Sequence, residues 1–203
     1  MIAIIDYGVG NLFSLKSSFA RVGADTVVTS DPAVISEAEK IILPGVGAFG
    51  DAIAKLRDSG LDKVVLAEVA KGKKLMGICL GMQLLFEKSY EYGEYEGLGL
   101  LGGSVVPMKG SIPDELMIPH IGWNALIMKN GEHPLFKYVK DGSHVYFVHS
   151  FYAEGCDDSL IATAEYGREL TAAVAKGNVA GMQFHPEKSG DVGLSILKAF
   201  CEW

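Results

Sequence analysis

Up to Phe86 the chain alternates short apolar runs with amphipathic stretches. Met1–Asp6, Thr26–Thr29 and Lys40–Leu43 are apolar runs in which polar residues do not alternate with hydrophobic ones, and Lys73–Met76 opens a fourth. Strands of that texture are buried on both faces, as in a parallel sheet. The stretches between them carry helical spacing. Asn11 predicts an N-cap for a helix with Leu12, Leu15, Phe19 and Val22 on one face, ending at Gly23. Asp31-Pro32 opens a loop or short helix, and Asp51–Asp58 and Leu61–Lys71 read as two more helices. Alternating strand and helix predict an α/β fold. Leu84–Glu87, following the cysteine at 79, reads as helix.

Beyond that point the texture changes. Glu87–Gly97 is acidic and tyrosine-rich and reads as a solvated loop. Predicted strands then follow closely at Gly103–Lys109, Gly122–Met128, His144–Phe151, Leu160–Glu165, Thr171–Lys176 and Val179–His185. Gly177-Asn178, between the last two, is a two-residue hairpin signal. A helix from about Val192 to Trp203 closes the chain. The expectation is one domain over residues 1–203. Its largely parallel central sheet carries helices on both faces, with an added antiparallel section in the second half.

Composition narrows the function classes. The 203 residues are 49% hydrophobic and 21% charged, as in an ordinary globular protein, and the net charge is −7. With no basic run, nucleic acid and anionic membrane are not expected partners. No apolar run approaches the ~18 residues of a membrane span. The apolar N-terminus lacks a basic leader and reads as a buried strand rather than a signal peptide. Cys79, Cys156 and Cys201 are scattered with no C-x-x-C pair, which argues against a disulfide framework or structural zinc and suits the cytoplasm.

The candidate chemistry centres on Gly77-Ile78-Cys79-Leu80-Gly81-Met82-Gln83. A cysteine with glycine at both i−2 and i+2, between a strand and a helix, has the form of a nucleophile elbow. A helix starting there would aim N–H groups and the positive end of its dipole at the sulfur. A tight turn around a buried cysteine would leave the same trace, so the elbow needs partners. His133 and His144 lie in polar, turn-like surroundings, His120 enters a strand after Pro119, and His149 reads as a structural histidine in an apolar strand. His185, in Phe184-His185-Pro186-Glu187, is the best base: residues i and i+2 of a strand point the same way, so Glu187 can orient its ring. Cys79, His185 and Glu187 then form a thiol triad. For the oxyanion, the Leu80 amide is one donor, and the Pro44-Gly45-Val46-Gly47 turn offers a second, most simply at Gly47.

These three segments resemble the signatures of the class I, triad-type glutamine amidotransferases, which have a flavodoxin-like α/β fold. Within that family they are most similar to the glutaminase subunits of imidazole glycerol phosphate synthases of histidine biosynthesis. Asp6–Leu12, Pro119–Asn124, Tyr146–Phe151 and Gln183–Ser189 carry the narrower likeness. The resemblance implies glutamine as substrate, with its carboxamide over Cys79 and its amino-acid end held by Gln83, Gly45 and the backbone of Ser150 and Phe151. It implies ammonia passed to a separate (βα)₈ cyclase subunit that makes imidazole glycerol phosphate and the aminoimidazole carboxamide ribotide, with Asn11, Trp123, Tyr146 and Lys188 facing that partner. No metal or organic cofactor is implied. The triad alone leaves open a glutaminase serving another synthase, and a catalytically silent binding module on the same fold also stays open.

Overall fold

In the computed structural model, which describes residues 1–203, the early apolar runs become strands β1 (Ile2–Ile5), β2 (Thr26–Thr29), β3 (Lys40–Leu43) and β4 (Lys74–Ile78). Helices α1 (Leu12–Arg21), α2 (Pro32–Glu37), α3 (Phe49–Asp58) and α4 (Leu61–Ala70) connect them. Two are capped as their sequences predict: Asn11 Oδ1 accepts from Ser14 N, and Asp31 Oδ1 accepts from Ala33 N at 2.8 Å. After β4 come a one-turn helix α5 (Leu80–Gln83), then strands β5 (Phe86–Ser89), β6 (Tyr95–Glu96), β7 (Leu101–Pro107), β8 (His120–Ala125) and β9 (Ile127–Met128). The remainder is β10 (His144–His149), β11 (Phe151–Glu154), β12 (Leu160–Glu165), β13 (Glu169–Lys176), β14 (Val179–Met182) and α6 (Gly190–Glu202).

The central sheet runs β2-β1-β3-β4-β14-β13-β12-β9. Pairing is parallel from β2 through β14 and antiparallel from β14 to β9. The parallel part has the strand order of flavodoxin-like sheets, whose ligands bind beyond the carboxyl ends of the strands. Successive strand residues serve opposite faces. Ala3, Ile5, Ile41 and Leu43 pack with α2, α3 and α4, while Ile2, Ile4 and Ile42 pack with α1 and α6. Phe49 and Leu56 on one face, and Phe19 and Phe200 on the other, are fully buried. At about 1.5–3 kcal/mol for each such side chain, these contacts are what hold the helices to the sheet. At Gly177-Asn178 the predicted hairpin forms, with Lys176 opposite Val179 and Gly177 at φ 60°.

Five expectations need correcting. Leu84–Glu87 is not helix: α5 stops at Gln83, and Phe86 opens a strand. Leu84, Leu85 and Phe86 are buried on every side, and such a run has no period to tell strand from helix. Their carbonyls accept from Leu98 N, Leu100 N and Gly99 N, so the following segment folds back over them. Glu87–Gly97 is consequently not a free loop but contains most of β5 and all of β6. His144–Phe151 breaks at Ser150, sending β10 to a ribbon with β8 and β11 to a separate sheet of order β11-β7-β5-β6. Gly122–Met128 is likewise interrupted, at Leu126, and Val179–His185 ends as a strand at Met182.

Candidate active site

At the carboxyl end of β4, Cys79 adopts φ 54° and ψ −113°, a conformation an L-residue takes only when its surroundings impose it. The flanking glycines explain how. A Cβ on Gly81 would lie 1.9 Å from Leu43 O, and one on Gly77 would lie 2.5 Å from Gly81 O. The elbow backbone therefore rests directly on β3 and β4, where only glycine fits. Because α5 is a single turn, its macrodipole is small. What it contributes is the Leu80 amide, which donates to no protein acceptor.

His185 is buried beside Cys79 on the same cavity, and its Nδ1 meets Glu187 Oε1 at 2.8 Å. The His185–Glu187 contact is the expected one, but its geometry is not that of a strand. Pro186–Lys188 is a 3₁₀ turn rather than strand, and the turn carries Glu187 back under the ring. Burial pushes the imidazole pKa down, but the interactions with neighbouring Cys79 and Glu187 outweigh it and raise the group to about 9. Nδ1–H points at a carboxylate, so the other ring nitrogen serves the sulfur.

Cys79 and His185 border a cavity of about 290 Å³. Gly47, Leu80, Gln83, Ser150 and Phe151 all line it, as does Val46. The Gly47 amide, at φ 93°, has no hydrogen-bond partner either. Gly45 does not line the cavity. It is buried beneath the turn, where a Cβ would meet Gly81 N at 2.7 Å and Tyr7 Oη at 3.0 Å. The Tyr7 hydroxyl donates to Pro44 O at 2.7 Å and fixes the start of the turn. Gln83 Nε2 donates to Phe151 O at 3.2 Å and to Gln183 Oε1 at 3.0 Å.

A model of the family "Glutamine amidotransferase class-I" matches residues 3–202. The chain belongs to this family. It is 50% identical over 206 residues to the "Imidazole glycerol phosphate synthase subunit HisH" of Sulfurimonas denitrificans, covering all of this chain and 98% of that protein. The likeness to the protein of the same name from Geobacter sulfurreducens is also 50%, over 205 residues, covering 99% and 98%. Among solved structures, a glutamine amidotransferase superposes with a TM-score of 0.76 at 20% identity, covering 99% of this chain and all of that one. PurLQS from Thermotoga maritima superposes with 0.75 at 22%, covering 99% and 97%. At those identities the structures speak for the shared fold, the amidotransferase α/β architecture.

In this amidotransferase the remaining expected residues divide. Trp123, 56% exposed, meets Tyr146 edge-on at 6.2 Å, and Lys188 Nζ lies 5.8 Å over the Tyr146 ring. Those three form one surface cluster. Asn11 caps α1 through its side chain.

Two wall residues, Glu91 and His149, and one residue buried behind the site, Gln183, were not expected there. Glu91, read as a solvated acid, is buried on the cavity wall with Oε2 accepting from Phe49 N at 2.8 Å. Burial raises its pKa, opposed by that hydrogen bond. His149 faces the cavity as well. Gln183 is wholly buried, with Nε2 3.8 Å from Cys79 Sγ. Its place two residues before His185 was the only signal available.

Proposed function

We propose that this chain, as a single amidotransferase domain, is the glutaminase subunit of an imidazole glycerol phosphate synthase. On this reading Cys79 is the nucleophile, His185 the general acid and base, and Glu187 the group that orients His185. The observation that carries it is the buried Cys79–His185–Glu187 set, standing beside two unpartnered amides at one cavity. The relatives' full-length likeness supports the choice of synthase.

The reaction follows from the geometry. The Cys79 thiolate attacks the carboxamide carbon of glutamine, and the new oxyanion meets the Leu80 and Gly47 amides. Protonated His185 gives its proton to the nitrogen, the C–N bond breaks, and ammonia leaves a thioester on Cys79. His185, now neutral, takes a proton from water as the water attacks the thioester. Glutamate departs and the thiolate–imidazolium pair is restored.

The walls suit a zwitterionic amino-acid end. Both lone pairs of the Phe151 carbonyl are occupied, by Gln83 Nε2 at 3.2 Å and His149 Nδ1 at 2.8 Å, so that carbonyl has no room for an ammonium. Glu91 is the acceptor for it. Phe151 stands opposite Pro107, next to the hydrogen-bonded Met108–Ser150 pair, so its N–H faces away from β7 and serves the carboxylate.

Ammonia then passes to a (βα)₈ cyclase subunit docked over Trp123, Tyr146 and Lys188. Exposed Phe13, Ile121 and Met117 make the surface more apolar than a free one needs to be. The test is Cys79→Ala in the assembled complex. Glutamine-dependent synthesis is expected to vanish while synthesis from ammonium salts persists. Loss of both would make Cys79 structural and overturn the mechanism.

A further inference from the structure

His120 and His149 stand directly opposite each other in the β8–β10 ribbon, and both are buried. Their hydrogen bonds can be assigned a direction. His149 Nδ1 lies 2.8 Å from Phe151 O, a carbonyl that can only accept, so Nδ1 carries the proton. In a neutral ring His149 Nε2 is then an acceptor, and His120 Nδ1, 3.0 Å away, must donate to it. That leaves His120 Nε2 as an acceptor for Asn124 Nδ2 at 3.3 Å. The other Asn124 amide hydrogen goes to Glu165 O at 2.7 Å, and Asn124 Oδ1 accepts from Ala125 N at 2.8 Å. No side-chain donor or acceptor of the three residues is left over, and along the chain donation runs from Asn124 through His120 and His149 to Phe151. Burial lowers both imidazoles to about 4, so the neutral forms this scheme needs prevail at neutral pH.

The chain is held rigidly at its centre. The His120 ring is stacked between Tyr166 at 4.1 Å and Phe147 at 4.9 Å, which leaves it no alternative rotamer without losing both faces. At its end is Phe151, the first residue of β11 after the break at Ser150. In extended backbone, N–H and C=O of one residue point the same way. Holding the Phe151 carbonyl on its two donors therefore also sets the direction of its N–H, on the cavity side.

We propose that the Asn124–His120–His149 chain positions the Phe151 backbone to hold the main-chain carboxylate of glutamine. His149 and His120 are positioning residues on this account, acting through Phe151 rather than on the scissile amide. The proposal rests on glutamine as the substrate of Cys79.

The experiment uses the assembled complex with the cyclase subunit. Glutamine KM and kcat are measured for His149→Phe, His149→Asn and His120→Phe, alongside the rate of Cys79 alkylation by iodoacetamide, which has no amino-acid end. Loss of a hydrogen bond that presents a donor to a charged group predicts a KM raised roughly ten- to a hundredfold in His149→Phe. Its kcat is expected to fall less and its alkylation rate to stay as in the parent. His149→Asn, which keeps a donor near Nδ1, is expected to recover most of the affinity, and His120→Phe to show a smaller shift of the same sign. Unchanged KM in His149→Phe overturns the proposal, as does loss of iodoacetamide reactivity in parallel with KM. Nitrogen NMR of the unsubstituted complex tests the scheme without a variant. Both histidines are expected as the neutral Nδ1–H tautomer at pH 7, and an Nε2–H or protonated His149 refutes it. Glutamine turnover surviving Cys79→Ala would instead sink the substrate reading and leave the tautomers as they are.

Discussion

Glu187→Gln removes one charge from the triad and little else. The amide oxygen of glutamine can still accept from His185 Nδ1 at the 2.8 Å now spanned by the carboxylate, and both side chains are buried, 3% and 1% exposed. The charge itself matters because His185 is raised from 6.5 to about 9 against the opposing pull of burial. At ~1.36 kcal/mol per pH unit, that is about 3 kcal/mol in favour of the imidazolium. Cys79 and Glu187 supply it together, so removing one of them is expected to lower the group by roughly one to two units.

The consequence is a rate effect with a definite pH window. At pH 8 the protonated fraction falls from about nine-tenths to between about half and one-tenth, so ammonia release slows roughly two- to tenfold. The assay is kcat/KM for glutamine in the complex from pH 6 to 10, with ammonia-dependent synthesis as control. The basic limb, which belongs to the Cys79–His185 pair, is expected near 9 in the parent and about one to two units lower in the variant. Stability gives a second readout. A raised histidine stabilises the fold fully below its ordinary value of 6.5 and loses that contribution as pH rises through about 9. The variant's stability deficit is therefore largest near pH 6 and closes above 9. A basic limb that stays in place would refute Glu187 as the charge behind His185.

Three other substitutions probe different parts of the molecule. Glu91→Gln keeps an oxygen for Phe49 N but removes the anion, so glutamine KM is expected to rise roughly ten- to a hundredfold with iodoacetamide alkylation of Cys79 unchanged. Gly81→Ala drives a Cβ to 1.9 Å from Leu43 O, a backbone atom that cannot yield cheaply. A loss of about 3 kcal/mol or more in urea unfolding is expected, whereas Gly102→Ala, in open space, is expected to be near neutral. Glu68 accepts from Lys71 at 2.7 Å and pairs with Lys73 at 2.8 Å, and these contacts hold its carboxyl down at about 2. A depressed carboxylate stabilises above its ordinary value of 4.5 and loses that as pH falls towards 2. Glu68→Gln is thus expected to melt lower at pH 7, with the gap narrowing below 4.5.

What could be read from the sequence was what local sterics dictate. β3 was found to the residue because a strand buried on both faces leaves an apolar run, and the half-buried edge strand β2 because four β-branched residues stand together. Gly77 and Gly81 were legible because the elbow admits no side chain there. Glu91 was not. Nothing near it distinguishes it from Glu87 or Glu94, and its burial depends on Phe49 N, brought in from another helix. The His120–His149 pair was equally hidden, since it exists only in the register that sets β8 against β10. Each histidine alone reads as an isolated polar residue in a strand.

The three signature segments owe their relative positions to backbone contact rather than to side chains. Cys79 N donates to Met182 O at 2.7 Å, tying the elbow to β14 and so to His185. A Cβ on Gly181 would meet Met82 at 2.5 Å, and one on Gly45 would meet Gly81 N at 2.7 Å. β3, α5 and β14 are thus packed too closely to shift past one another without a backbone clash. Gly47 is the exception, with nothing within 4 Å of where a Cβ would stand and no hydrogen bond on its amide. The proposed nucleophile and base are built into the rigid sheet end, while Gly47, one of the two proposed oxyanion donors, sits on the part of the turn that packing leaves free. Any adjustment of catalytic power on docking a partner therefore falls first on the Val46–Gly47 peptide, not on the triad.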